Sequence, residues 1–235
     1  VSGGGGEGPR LPDDGGGIAG ARVLVVGATG EIGGLAARSL RRRGAAVALV
    51  GRDAGRLAER SGACPRRVFD AYDLDGCEGL AAWTVRSLGG LDHVVVAVGV
   101  AGFGRAEHVG EAAAEHLMTV NALAPMAVVR GALPLLEAGG AVAVVTGAVV
   151  DAPPRGMADY AAAKAALATW LAVVGREQRA RGVRVLDVRM PHLEGGFAAR
   201  AVTGSPPVLP PGADPVASVE HLLVAPLAGA AGREP

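Results

Sequence analysis

Tyr160 and Lys164 stand four residues apart in DYAAAK, a stretch of helical composition, so both side chains leave one helix face. A lysine charge beside a phenol favours the phenolate and draws a tyrosine pKa down from about 10. Such a tyrosine can give a proton to a carbonyl oxygen as hydride reaches the carbon, or remove it in the reverse direction. Rarity sets these positions apart. Among 23 Lys and Arg residues Lys164 is the only lysine, Asn121 is the only asparagine, and Tyr72 and Tyr160 are the two tyrosines. In a chain biased to Ala, Gly, Val and Arg, such residues mark places where chemistry resisted replacement. Arginine would keep the charge of Lys164 but is bulkier and planar, a poorer point charge.

A second group lies near the start. Gly27, Gly30 and Gly33 fall in GATGEIG, directly after the apolar run VLVV and at the opening of a helix-like stretch. Glycines there permit a tight turn and let backbone N–H groups meet a pyrophosphate at the positive end of a helix. Thr29 can add a hydroxyl. Asp53 has the spacing of an acid on an adenosine ribose, which favours NAD, while Arg52 beside it can clasp the 2′-phosphate of NADP; spacing leaves the two level. Asp73 suits either an adenine amino group or the cap of the next helix.

The elements that must hold these residues alternate. Apolar runs at 22–26, 46–50, 92–99, 141–147 and 183–190, with RRVFDAYDL at 66–74 as a third strand and its exit, are separated by helical stretches, with long helices over 111–137 and 157–181. Strands apolar throughout and divided by helices predict an α/β fold, a doubly wound parallel sheet of about six strands with helices on both faces. Residues 1–20 read as a disordered glycine-rich leader, 21–200 as the Rossmann dinucleotide-binding and catalytic domain, and 201–235 as a proline-rich segment with a C-terminal helix. That segment is a lid over a ligand or a stiff surface excursion. Arg41, Arg42 and Arg43 read as a solvated helix end.

Composition excludes other classes. Positive and negative charges balance at 23 each, without the basic excess of a nucleic-acid binder. Two cysteines and five histidines lack the spacing of a disulfide framework or a metal site. No uninterrupted apolar run reaches the eighteen or so residues of a membrane span. The expectation is a cytoplasmic protein with no membrane, nucleic-acid or metal partner.

The order GATGEIG, then VNALAP with Asn121, then YAAAK, with a sixth strand ending at Pro191, resembles the short-chain dehydrogenase/reductase family over about residues 21–200. The resemblance implies an NAD(P)-dependent oxidoreductase acting on a small carbonyl or alcohol. Tyr160 would be the proton donor, Lys164 the residue holding the nicotinamide ribose, and Asn121 the organiser of a proton-relay water. It implies a cofactor site of Gly27, Thr29, Gly30, Glu31, Ile32, Gly33, Arg52, Asp53, Asp73, Leu74, Gly99, Tyr160, Lys164, Pro191 and Leu193. By resemblance a basic residue at Arg52 favours NADP(H), with NAD(H) possible. It also implies a homodimer through the two long helices.

The chain departs from the family's pattern in four places. Gly147 stands where the family has a catalytic serine, thirteen residues before the tyrosine, which leaves Thr146 as the substitute hydroxyl. Glu31 replaces the middle glycine of the loop. VAVG, residues 96–99, keeps only Gly99 of NNAG, and PHLEGG, residues 191–196, lacks the usual hydroxyl. These changes open a second reading, a protein of the same fold whose redox role has decayed into a cofactor-binding sensor, a scaffold subunit or a non-redox catalyst.

Overall fold

The computed structural model describes residues 17–208 and 211–229. Six strands, β1 (Arg22–Val26), β2 (Ala46–Gly51), β3 (Arg66–Val68), β4 (His93–Val96), β5 (Ala141–Val145) and β6 (Arg184–Val188), form one parallel sheet in the order β3-β2-β1-β4-β5-β6. The doubly wound architecture expected from the alternation of apolar runs holds. Consecutive crossovers reverse direction between β1 and β4, which opens a crevice at their carboxyl ends, the usual ligand position in such sheets.

The helices are α1 (Glu31–Arg42), α2 (Ala54–Ser61), α3 (Leu74–Glu78), α4 (Leu80–Leu88), α5 (Glu111–Met118), α6 (Ala124–Ala132), α7 (Ala158–Gln178), α8 (Pro215–Val219) and α9 (Ala225–Leu227). Alternation along the strands divides the core in two. Leu24, Val26, Val94, Val96, Val142 and Val144 pack against Leu80, Val128, Leu167 and Leu171 on one face. Val23, Val25, Leu49, Val95 and Ala143 meet Leu40, Leu57, Leu223 and Leu227 on the other. At the amino ends of β1 and β4, Arg22 grips Asp92 through Nε at 2.8 Å and Nη2 at 2.7 Å, which fixes the two central strands against each other.

Three details differ from the sequence expectation. Residues 17–20 form a turn belonging to the fold: Ile18 is 2% exposed and packs with Leu40 and Leu223, so the ordered chain begins before residue 21, while residues 1–16 of the expected leader lie outside the described residues. Arg43 is not a merely solvated end of α1, because its Nη2 pairs with Glu220 Oε2 at 2.8 Å and ties α1 to the C-terminal helices. The expected helix over 111–137 is continuous from Glu111 to Leu135 but contains a π-turn at Thr119–Leu123, where Ala124 N–H donates to the Thr119 carbonyl five residues back. With 25 residues and a mean hydropathy of 1.3 in its most apolar window, this helix is long and apolar enough to cross a bilayer; 56% of that window is buried inside the fold.

Candidate active site

The buried stripe of α7 runs through Tyr160, Lys164, Leu167, Leu171 and Val174, so the side chains that seat the helix on the sheet also fix the direction of the first two. Lys164 is 3% exposed. Its Nζ donates to the Val145 carbonyl at 3.0 Å and the Val98 carbonyl at 3.5 Å, which pins the ammonium between the carboxyl ends of β5 and β4. Burial lowers its pKa to about 8, and the Asp187 carboxylate opposes that shift.

Tyr160 is 8% exposed and its pKa is raised to about 12, with burial the cause. The expected depression of the phenol by Lys164 is not what this arrangement gives: the ammonium is committed to main-chain carbonyls, and desolvation of the phenolate governs. Tyr160 is therefore held as a proton-loaded phenol at neutral pH. Its ring lies 6.4 Å from that of Phe197, in the segment after β6.

Asn121 sits in the π-turn and is fully buried. Its Oδ1 accepts from Val100 N–H at 3.0 Å and its Nδ2 donates to the Val100 carbonyl at 3.0 Å. The side chain thus clamps the loop after β4 and is not itself presented to a relay water. Gly99, one residue earlier, is where these groups converge: a Cβ there would lie 2.9 Å from Asn121 Oδ1 and 3.2 Å from Lys164 Nζ.

Thr146 is 1% exposed, and its Oγ1 donates to Asp187 Oδ1. Asp187 Oδ2 in turn accepts from Arg189 Nε at 2.9 Å. The hydroxyl expected to replace the missing serine is thus spent on a half-buried ion pair of Asp187 and Arg189. Thr146 N–H still pairs with the Val188 carbonyl at 3.1 Å, so the ladder keeps the residue on the strand face of Val142 and Val144. Gly147 adopts φ +116, a backbone region that disfavours any side chain, which accounts for glycine at the position.

At the other end of the crevice, Gly27 has φ +93 and a Cβ there would meet the Ala97 carbonyl at 2.4 Å. Gly33 is equally constrained: its Cβ would lie 2.3 Å from the Gly27 carbonyl, so α1 starts directly on the turn. Gly30 caps α1 without any side-chain bond, leaving the helix N-terminus to an external anion. Thr29 packs over Gly51, and Ile32 joins the core face of α1. Glu31 is the exception to an anion-binding loop, since its carboxylate turns toward Gly195 in the segment after β6.

The two acids near the ribose end act as helix caps. Asp53 Oδ1 accepts from Arg56 N–H at 2.9 Å at the start of α2, and Asp73 Oδ1 accepts from Gly76 N–H at 2.8 Å at the start of α3. Arg52 is exposed beyond β2, and Leu74 is 38% exposed beside Asp73. The stretch from Pro191 crosses the carboxyl edge of the sheet: Leu193 pairs with Ala213, Val202 N–H donates to the Ala101 carbonyl at 2.8 Å, and Phe103 N–H donates to the Thr203 carbonyl at 2.9 Å. Sequence reading missed Arg60 on α2, whose Nη1 reaches the carbonyls of Gly30 and Ala28; an arginine among 22 carries no local signal. The uncapped helix start, the narrow glycine turn and the Lys164–Gly99 corner together fit a dinucleotide laid across the crevice.

Comparison with known proteins agrees with this geometry. The family model for short chain dehydrogenases matches residues 21–201. An uncharacterized oxidoreductase of Bacillus subtilis strain 168, YhxD, is 31% identical over 184 residues, which are 73% of this chain and 60% of that protein, so the chain spans less than two thirds of its curated relative. A dehydrogenase/reductase from Sinorhizobium meliloti 1021 superposes with a TM-score of 0.74 at 28% identity, covering 89% of this chain and 88% of the other. An alcohol dehydrogenase from the archaeon Thermococcus sibiricus, complexed with 5-hydroxy-NADP, shares the fold at a TM-score of 0.73 and 24% identity, covering 84% and 86%. With three quarters of its length matched by one family model, and with the motifs of that family gathered at one edge of its sheet, the chain belongs to the short-chain dehydrogenase family.

Proposed function

We propose that the protein is an NADPH-dependent oxidoreductase that interconverts a small carbonyl compound and its alcohol. The observation that carries this reading is the buried Tyr160, loaded with its proton, one helical turn from a buried Lys164 held at the mouths of β4 and β5. A bound reduced nicotinamide would supply the hydride, with its electron pair, that the carbonyl carbon accepts. Tyr160 gives its phenolic proton to the carbonyl oxygen and recovers one from solvent; in oxidation it takes the proton instead. Lys164, two of whose ammonium N–H groups go to the Val145 and Val98 carbonyls, would offer the third to the nicotinamide ribose. Asn121 holds Val100, and with it the loop of Gly99, in the shape that would receive the cofactor. Phe197, in the segment after β6, stands 6.4 Å ring to ring from Tyr160 and would border the substrate there.

The NADPH preference rests on Arg52, which stands free beyond β2 while Asp53 beside it is engaged by α2. The 5-hydroxy-NADP carried by the Thermococcus sibiricus enzyme accords with it. Leu123 and Val173, 42% and 45% exposed, lie on the helices that would pair two subunits in a homodimer.

A second reading is favoured by one observation. With Gly147 at φ +116 and the Thr146 hydroxyl spent on Asp187, no side-chain hydroxyl from this strand end meets the substrate oxygen, so a binding protein with little redox activity also fits. NADPH consumption across a panel of aldehydes, ketones and alcohols separates the two. The enzyme reading expects turnover in the wild type and a loss of about a hundredfold or more in kcat for Tyr160→Phe, with NADPH affinity retained. Tight NADPH binding without turnover on any compound would instead establish the second reading.

A further inference from the structure

The side chain that sets the shape of the phosphate loop lies outside it, on α2. Arg60 Nη1 donates to the Gly30 carbonyl at 2.9 Å and to the Ala28 carbonyl at 3.3 Å. In a trans peptide the carbonyl and the following N–H point in opposite directions. Holding the Ala28 carbonyl from one side, and sharing the Gly30 carbonyl with Gly34 N–H at 3.0 Å, Arg60 turns the N–H groups of Thr29 and Glu31 to the other, where α1 opens toward an anion. The other loop amides are engaged within the protein: Gly27 N–H and Ala28 N–H donate to the Val50 carbonyl, each at 2.9 Å, and Gly30 N–H donates to the Gly27 carbonyl at 2.9 Å. Among the described residues this leaves the Thr29 N–H, with those of Glu31, Ile32 and Gly33 in the first turn of α1, without a main-chain acceptor and available to a ligand.

A separate observation points to the same side chain. Gly34, on the first turn of α1, has ordinary helical backbone and needs no glycine for its conformation, yet a Cβ there would lie 2.6 Å from Arg60 Nη1 and 3.3 Å from the Ala28 carbonyl oxygen. The missing side chain is the space in which the guanidinium sits.

We propose that Arg60 is the positioning residue of the phosphate loop, aiming the Thr29 and Glu31 amides at the pyrophosphate of the dinucleotide through the Ala28 and Gly30 carbonyls, with Gly34 as its seat. This rests on the dinucleotide reading above. Arg60 acts on the part common to NADPH and NADH, whereas Arg52 acts on the 2′-phosphate alone.

The test is calorimetric titration of the full chain with NADPH and with NADH, for wild type, Arg60→Met, Gly34→Ala and the double variant. Arg60→Met is expected to weaken both dinucleotides alike, by about fivefold, because the loop amides are no longer pre-aimed, and to leave the NADPH to NADH affinity ratio unchanged, while the lost internal bond lowers the melting temperature by a few degrees. Gly34→Ala, which favours the helix itself, is expected to weaken both similarly in wild type and to cost nothing more in the Arg60→Met background. A loss confined to NADPH would overturn the proposal in favour of a direct 2′-phosphate contact. Unchanged affinities, or a Gly34→Ala cost equal in both backgrounds, would overturn it outright. A wild type that binds neither dinucleotide would remove the cofactor reading and this proposal with it; a wild type that binds while Arg60→Met binds equally well would remove this proposal alone.

Discussion

The two ends of the crevice are built by different physics. Around β4 and β5 the site is dry: Asn121, Lys164 and Tyr160 are 0%, 3% and 8% exposed, and their polar atoms are satisfied by main-chain groups or kept neutral by burial. Around β2 and β3 the corresponding residues are wet: Arg52, Asp53 and Asp73 are exposed, and the acids serve short helices as caps. In the dry end each side chain is fixed by packing, so a change there is felt by the whole fold. In the wet end each contact competes with water, and a change is felt mainly by the ligand.

The contrast can be broken most severely at Asn121. Asn121→Ala would strand both main-chain groups of Val100 without water and should cost about 4 kcal/mol in chemical denaturation, the sum of two buried unpaired groups. A loss below about 1 kcal/mol would mean that the dry end admits water.

Lys164 sharpens it through pH. Its folded pKa of about 8 lies below the ordinary 10.5, so the folded chain sheds this proton first and gains stability as pH rises across that window. Against Lys164→Met, the wild type should gain roughly 3 kcal/mol between those limits. Tyr160, at about 12 against an ordinary 10.0, has the opposite sign, and its contribution falls once pH passes 10.0. A flat difference between the two melting curves across pH 8 to 10.5 would contradict the buried ammonium.

Gly147→Ser follows in size. Restoring the family's hydroxyl there forces a side chain onto φ +116, and the expected outcome is a loss of about 2 kcal/mol with no gain in turnover. A rise in kcat would show that the strand end can rearrange to present the serine. The smallest effect belongs to the wet end: Asp53→Ala should cost about 1 kcal/mol, as a lost helix cap, and leave the NADPH to NADH ratio unaltered. A shift of that ratio would return Asp53 to the ribose.

The sequence carried the sheet well because β1, β4 and β5 are apolar on both faces, a pattern that only a covered parallel sheet satisfies. Tyr160, Lys164 and Asn121 were legible because they are rare residue types in a biased chain and because one buried helix stripe holds the first two. What they touch was not legible. The partner of Thr146 is Asp187, 41 residues away, and that of Lys164 is a carbonyl, which every residue has. Asp73 fitted an adenine contact or a helix cap equally well and Asp53 was read only for the ribose, and it is the hydrogen-bond geometry at α2 and α3 that makes caps of both. Arg60 was invisible since it acts on backbone atoms across a turn, and Ile18 was hidden by the glycines around it.

The π-turn at Thr119–Leu123 has a consequence for how this site can change over time. It holds one residue more than a regular helix needs, and Asn121 lies at its centre. Removing one residue beside Asn121 would close the wide turn to regular winding; because the wide turn is what absorbs the extra residue, the flanking segments would keep their faces and the change would fall on the turn itself. The Asn121 amide would swing off Val100 although no site residue had been substituted. A single-codon deletion here would thus alter the crevice while leaving the helix surface on either side as it was.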